Sequence, residues 1–235
     1  MNENISISIC VPAYNEAENI TKAVEDLFTC LSPMIQEMEV IIVDDGSNDT
    51  TAELSEQLAR KYFQVKVIHH KKNSGIGACY RNALAEAKGE YFTWFPGDHE
   101  NSAQEFVQCL PYIKSDTVVT SHHLGYDRRS FMRRFISRSY TWILNRYFNL
   151  DIKYYNGLTI FPVTVLRSFP LYSNGFALFA ENLIRAIKKG YKVKELSTPL
   201  RMRMSGESKA FSYSSISRMV KDILVIISNG AIIFR

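Results

Sequence analysis

The chain has 235 residues, 46% of them hydrophobic and 22% charged, which suits one globular domain, or one domain with an appendage, and excludes a disordered chain. Its four cysteines, at 10, 30, 79 and 109, show neither close-pair metal spacing nor a disulfide-rich pattern, so a reducing compartment is expected. The net charge of +4 is divided unevenly: residues 1–125 carry 9 Lys+Arg against 18 Asp+Glu, residues 126–235 carry 19 against 6, and the basic half calls for an anionic partner such as phosphate, nucleic acid or acidic lipid.

The N-terminal MNENISISICVPAYNE lacks a basic flank before an apolar stretch, so no targeting segment is expected, and no apolar run reaches the length of a spanning helix. Ile5, Ile7, Ile9 and Val11 alternate with polar residues as a first strand. From Asn15 the period becomes helical through Ile20, Val24, Leu27 and Leu31, and Asn15 with Glu18 has the spacing of a capping box. The unbroken run Val40 to Val43 reads as a central strand buried on both faces, followed by DDGSNDTT and a helix carrying Leu54, Leu58, Ala59 and Tyr62. Val65 to Ile68 is a third strand; Ile76, Tyr80, Ala83, Leu84 and Ala87 mark a helix closed by Gly89, before an aromatic strand over 91–95 and a further strand at Val118-Val119. In the second half, RRSFMRRFISRSYTWILNRYF reads as a basic helix. Leu178 to Lys189 is a helix ending at Gly190, and Tyr191 to Leu196 is a strand. Ser205 to Ser217, with six serines, is a loop, and an amphipathic segment starts near Ile216.

Strands alternating with helices predict an α/β fold with a mostly parallel central sheet, in which ligands sit beyond the carboxyl ends of the strands. Three polar clusters fall there: Pro12 to Glu16, Asp44 to Asp49, and Asp98 to Glu100. Each alone is as well explained as a helix cap. Their convergence on one edge points to a nucleotide site, with carboxylates for a base, a ribose or a cation beside phosphates.

The segments VPAYNEAENI, VDDGSNDTT and NSGIGACYRNALAEAKGEY resemble the first three signatures of family 2 inverting glycosyltransferases, which have the GT-A, Rossmann-like α/β/α sandwich. RRFISR, YYNGL, NGFALFAENLIRAIKKGYKVKEL and RMSGESK are similar, more narrowly, to the dolichyl- or polyprenyl-phosphate mannosyl- and glucosyltransferase branch; the likeness spans about residues 5–210. The resemblance implies a hexose moved from a nucleotide-diphosphate sugar to a polyprenyl or dolichyl phosphate. It divides the chain into a GT-A domain over 1–210, with a donor-binding half (1–125) and an acceptor-binding half (126–210), and an amphipathic tail over 211–235.

By the same resemblance, Pro12, Tyr14, Glu16, Asp44 and Asp45 hold the base and ribose of the donor, and Gly75 and Arg81 line its site. The family's Asp-x-Asp turn corresponds to Pro96-Gly97-Asp98, with Pro96 replacing the first Asp and Glu100 in a trailing ligand position. If that turn is extended, Asp98 and Glu100 point the same way and grip one Mg²⁺ or Mn²⁺ together, while His99 points elsewhere. Arg203 and Lys209 match a phosphate-contacting loop, and Arg133, Arg134 and Arg138 match an interfacial helix, so an acceptor phosphate is assigned to these five. Where the family has another arginine, this chain has His122. Glu181 occupies the place of a general base in relatives that act on hydroxyls; otherwise it is a helix-surface glutamate.

The resemblance also implies a cytoplasmic protein held peripherally at a membrane, by itself or through a spanning partner, with no nucleic acid involved. The apolar length of residues 216–235 suits an interfacial helix better than a span. Two other readings stand beside this one: transfer to a hydroxyl of a surface glycan or lipopolysaccharide, and a non-catalytic nucleotide- or membrane-binding protein.

Overall fold

The computed structural model describes residues 5–99, 101–124, 131–199, 221 and 223–228, without the side chains of 123, 124, 131–133 and 199. The first half runs β1 (Ser6–Ala13), α1 (Ile20–Leu31), β2 (Glu37–Asp44), α2 (Thr51–Lys61), β3 (Val65–His69), α3 (Ile76–Glu86) and β4 (Tyr91–Trp94). The second adds α4 (Gln104–Cys109), β5 (Thr117–Leu124), α5 (Phe131–Phe148), β6 (Thr159–Pro162), α6 (Val163–Arg167), α7 (Ala177–Lys188) and β7 (Lys192–Pro199).

These strands form one seven-stranded sheet in the order β3-β2-β1-β4-β6-β5-β7. All neighbours are parallel except β6, which is antiparallel to both β4 and β5. The sheet is therefore mostly parallel, as expected, with one short reversed strand that its four-residue length kept hidden. Val40 to Val43 are fully buried, as a strand covered on both faces requires. One apolar layer on α1, α2 and α4 covers one face. The other face is covered by α3, α5 and α7.

Three local expectations need correction. Helix α1 starts at Ile20, not at Asn15, whose φ of 55° is left-handed and unsuited to an N-cap. Asn15 instead accepts the Asn48 N–H at 2.9 Å, and its own N–H donates to Ser47 Oγ at 3.0 Å. Gly89 is not a left-handed helix terminator: α3 ends at Glu86, with Ala87 already extended. Its hydrogen side chain is needed because a Cβ there would lie 2.7 Å from the Ser8 nitrogen. Residues 221 and 223–228 are helical, and Ile223 and Ile226 are buried in the same cluster as Leu144 and Phe148, so this part of the tail packs on the domain with Leu224 outward.

Candidate active site

The strand order reverses between β1 and β4: β2 and β3 lie to one side of β1, and every later strand lies to the other. Such a switch point leaves a crevice beyond the carboxyl ends of the two strands, because the loops that leave them part in opposite directions. The three polar clusters meet there. The first two are bonded to each other, through Asn15 with Ser47 and Asn48, and through the Glu16 N–H donating to Thr51 Oγ1 at 2.8 Å. The third is tied to the first by the Gly97 N–H, which donates to the Pro12 carbonyl at 3.3 Å.

Tyr14 stands 42% exposed at this rim, whereas Glu16 is half-buried and accepts from the Asn19 side chain at 2.9 Å. Asp44 and Asp45 are each only 4% exposed and are turned inward. Asp44 accepts the Ser47 N–H at 3.1 Å and contacts His69 Nδ1 at 3.1 Å. Hydrogen bonds to Glu56 and Asp44 raise the His69 pKa. Asp45 takes the Ser74 and Gly75 N–H groups at 2.9 and 2.8 Å and His70 Nδ1 at 2.6 Å. The Asp45 carboxylate thus braces the loop 70–75 that leads into α3, while that of Asp44 ties its own turn to His69 at the end of β3. Cys79, buried beside Asp45, has its thiol pushed up to about 12 by burial first and by that carboxylate second.

His69 and His70 were missed by the sequence reading. The available signal was register: parallel pairing of β2 with β3 sets His69 opposite Asp44. Among the described residues, Asp45, His70 and Cys79 form a group whose candidate ligand atoms lie within 4.8 Å of one another. Its mixture of imidazole, thiol and one carboxylate does not suit Mg²⁺ or Mn²⁺, which prefer oxygen donors, and its members already bond one another.

Asp98 is half-buried in the turn that follows β4. The extended turn assumed for Asp98 and Glu100 is not found, because His99 between them has a φ of 54°. A left-handed residue breaks the two-residue alternation on which a shared direction depends. Glu100 lies outside the described residues. His99 is folded back toward α1, 3.6 Å from Asp26. Gly97 is buried, and a Cβ on it would meet the Pro12 carbonyl at 2.9 Å, so its smallness serves close approach to β1 and not to a ligand.

Arg81 is engaged by the second half: its guanidinium donates to the Ser173 carbonyl at 2.9 Å and to Asn174 Oδ1 at 2.6 Å. Gly75, at φ 84°, caps α3. Glu181 is not a surface residue but is wholly buried; it accepts the Ser173 N–H at 2.9 Å and Arg185 Nε at 3.0 Å. Arg134 is half-buried and Arg138 exposed on α5, while the Arg133 side chain, Arg203 and Lys209 lie outside the described residues. His122 bonds Ser197 Oγ at 2.8 Å, and burial, with Lys153 nearby, lowers its pKa.

Glu105 on α4 is a further buried acid that the sequence did not reveal. It is 3% exposed, with Ser121 Oγ donating to it at 3.4 Å, and burial raises its pKa to about 7. A folded pKa above the unfolded one means that the native state holds its proton more tightly. Glu105 therefore costs nothing near pH 4 and destabilises progressively as pH rises through about 7. Glu105→Gln is expected to raise urea stability at pH 8 by about 2–3 kcal/mol and to change it little at pH 4.5. A gain equal at both pH values would contradict this.

Residues 8–176 match the family model described as Glycosyl transferase family 2. The chain belongs to this family. The dolichol-phosphate mannosyltransferase of Pyrococcus furiosus is 26% identical over 226 residues, 87% of this chain and 59% of that protein. The dolichyl-phosphate beta-glucosyltransferase of Saccharomyces cerevisiae is 25% identical, covering 95% of this chain and 75% of that one. The chain thus spans less than two thirds of the Pyrococcus furiosus relative's length. Among solved structures, glucosyl-3-phosphoglycerate synthase from Mycobacterium tuberculosis, in complex with Mn²⁺, UDP and phosphoglyceric acid, superimposes with a TM-score of 0.71 at 16% identity, over 95% of this chain and 77% of that one. That likeness shows the fold, which is GT-A.

Proposed function

We propose that the protein transfers a hexose from a nucleotide-diphosphate sugar to a polyprenyl or dolichyl phosphate at a membrane surface. The observation that carries this reading is the meeting of three polar loops at the β1/β4 switch point of a family 2 chain. The relatives support the lipid acceptor by their names, and so does the form of α5. Phe135, Trp142 and Tyr147 are 59%, 67% and 46% exposed there, in company with exposed Arg138 and Arg146. Aromatic rings beside arginines suit the headgroup level of an anionic bilayer. Among the described residues no helix is long and apolar enough to cross a membrane.

In the proposed reaction an acceptor phosphate oxygen attacks the anomeric carbon of the donor sugar. The new C–O bond forms as the bond to the donor's diphosphate breaks, the nucleoside diphosphate departs with that electron pair, and the anomeric configuration inverts. The attacking oxygen is already an anion, so no general base is required. The burial of Glu181 and its engagement by Arg185 and Ser173 favour this acceptor over a hydroxyl, which would need a base within reach. In this reading Tyr14 and the 14–16 turn hold the donor's base and ribose, with the buried Asp44 and Asp45 behind them. Asp98 would hold Mg²⁺ or Mn²⁺ on the donor diphosphate, where such an ion offsets the charge of the leaving group. Arg134 and Arg138, with Arg133, Arg203 and Lys209, supply cations for the acceptor phosphate.

Incubation with a panel of labelled nucleotide sugars, polyprenyl phosphate and Mg²⁺ or Mn²⁺ should give a product that extracts into organic solvent, and a chelator should suppress it. Product only with a glycan acceptor would move the assignment to a hydroxyl, and nucleotide binding without turnover on any acceptor would make the protein non-catalytic.

A further inference from the structure

The segment 173–175 joins the two halves of the molecule through a set of polar contacts. On one side Arg81 of α3 donates to the Ser173 carbonyl and to Asn174 Oδ1. The Gly77 N–H, in the first turn of α3, donates to the Asn174 carbonyl at 3.0 Å, and a Cβ at Gly77 would lie 2.6 Å from that oxygen. On the other side Glu181 of α7 accepts the Ser173 N–H, and Arg185 fixes Glu181 through a contact of 2.9 Å in a site where both are buried. Just beyond, Phe176 stands 56% exposed, 6.1 Å from Phe179, which stacks at 4.4 Å on Trp94, the last residue of β4. The first turn of α3 is in turn held to Asp45 through Ser74 and Gly75.

We infer that Arg81, Asn174 and Glu181 are positioning residues that latch the 173–176 segment of the second half onto the start of α3, so that the two walls of the crevice keep a fixed separation. The inference rests on the transfer reaction proposed above. Arg81 then acts on the reaction without touching the donor. Its two donors meet two acceptors on one loop, a geometry that the single ammonium of lysine reproduces only in part. A latch of this kind governs the alignment of two substrates, each bound mainly by its own half, and its loss lowers the rate of transfer more than the affinity for either.

The test uses the full chain with Arg81→Ala, Asn174→Ala, the double variant and Arg81→Lys. Amide exchange at Gly77 and Ser173 should accelerate about tenfold in each alanine variant, roughly the loss of one hydrogen bond, and little further in the double. In transfer assays kcat should fall about tenfold while the dissociation constant of the nucleotide sugar stays within about twofold, with partial recovery in Arg81→Lys. Exchange as in the wild type, or faster exchange with unchanged kcat, overturns the latch. A weakened nucleotide-sugar affinity with unchanged exchange overturns it too and makes Arg81 a donor contact. If the wild type transfers nothing, the proposed function fails by itself, and the exchange rates alone decide whether the two halves are latched.

Discussion

Asp98→Asn should lower transfer by about 10²–10³-fold while leaving the protein folded, the loss typical of removing one charge-stabilising group from a transition state. The Phe95 N–H donates to the Cys10 carbonyl at 2.8 Å, and the Gly97 N–H donates to Pro12, so the turn after β4 is fastened to β1 at the point where the strand order reverses. Asp98 follows that anchorage directly and is half-buried. Asparagine keeps its size and shape but lacks the negative charge that would hold a divalent cation there, and it is the cation that would offset the charge of the departing diphosphate. Steady-state kinetics with saturating acceptor measures the effect. Activity within threefold of the wild type would remove Asp98 from the mechanism, and a large loss accompanied by unfolding would mark it as structural.

Gly157→Ala should destabilise the fold by more than about 4 kcal/mol, or prevent folding, because a Cβ there would lie 1.7 Å from the Ser121 carbonyl oxygen. That neighbour is backbone, held by the Ser121 N–H donating to the Leu158 carbonyl at 2.8 Å, so it cannot rotate aside as a flexible side chain could. Relief requires β5 and β6 to part beyond the pairs Val119 with Ile160 and Thr120 with Thr159. The carboxyl end of β5, where His122 stands, would shift with them. Urea unfolding followed by fluorescence is the direct measurement, and a loss below 1 kcal/mol would show that the strands yield there at little cost.

The difference between what the residues announced and what they concealed has a physical pattern. Val40 to Val43 declare themselves because burial on both faces is written in an unbroken apolar run; the alternation from Ile5 to Val11 marks its strand but not its burial, since Ser8 and Cys10 are as buried as Ile7 and Ile9. Gly190 declares itself too, its φ of 89° ending α7 as a glycine should. The strand Thr159–Pro162 did not, since four residues carry no period and its reversed direction is a property of its neighbours. Asn15 and Glu18 had the spacing of a capping box, but Ser47 and Asn48, more than thirty residues away, offered Asn15 better partners. The rim of acidic clusters was legible from strand polarity alone. The inward turn of Asp44 and Asp45, the burial of Glu181 and the engagement of Arg81 were not, because each depends on a partner that only the tertiary fold brings near.

The most direct test of the account is to titrate the isotopically labelled protein with nucleoside diphosphate sugars in the presence of Mn²⁺ or Mg²⁺ and to map the amide shifts. Binding should be saturable, with perturbations concentrated at Tyr14 to Glu16, Gly46 to Ser47, Ser74 to Gly77 and Gly97 to Asp98. Shifts gathered on some other surface, or no binding of any such donor at millimolar concentration, would contradict it.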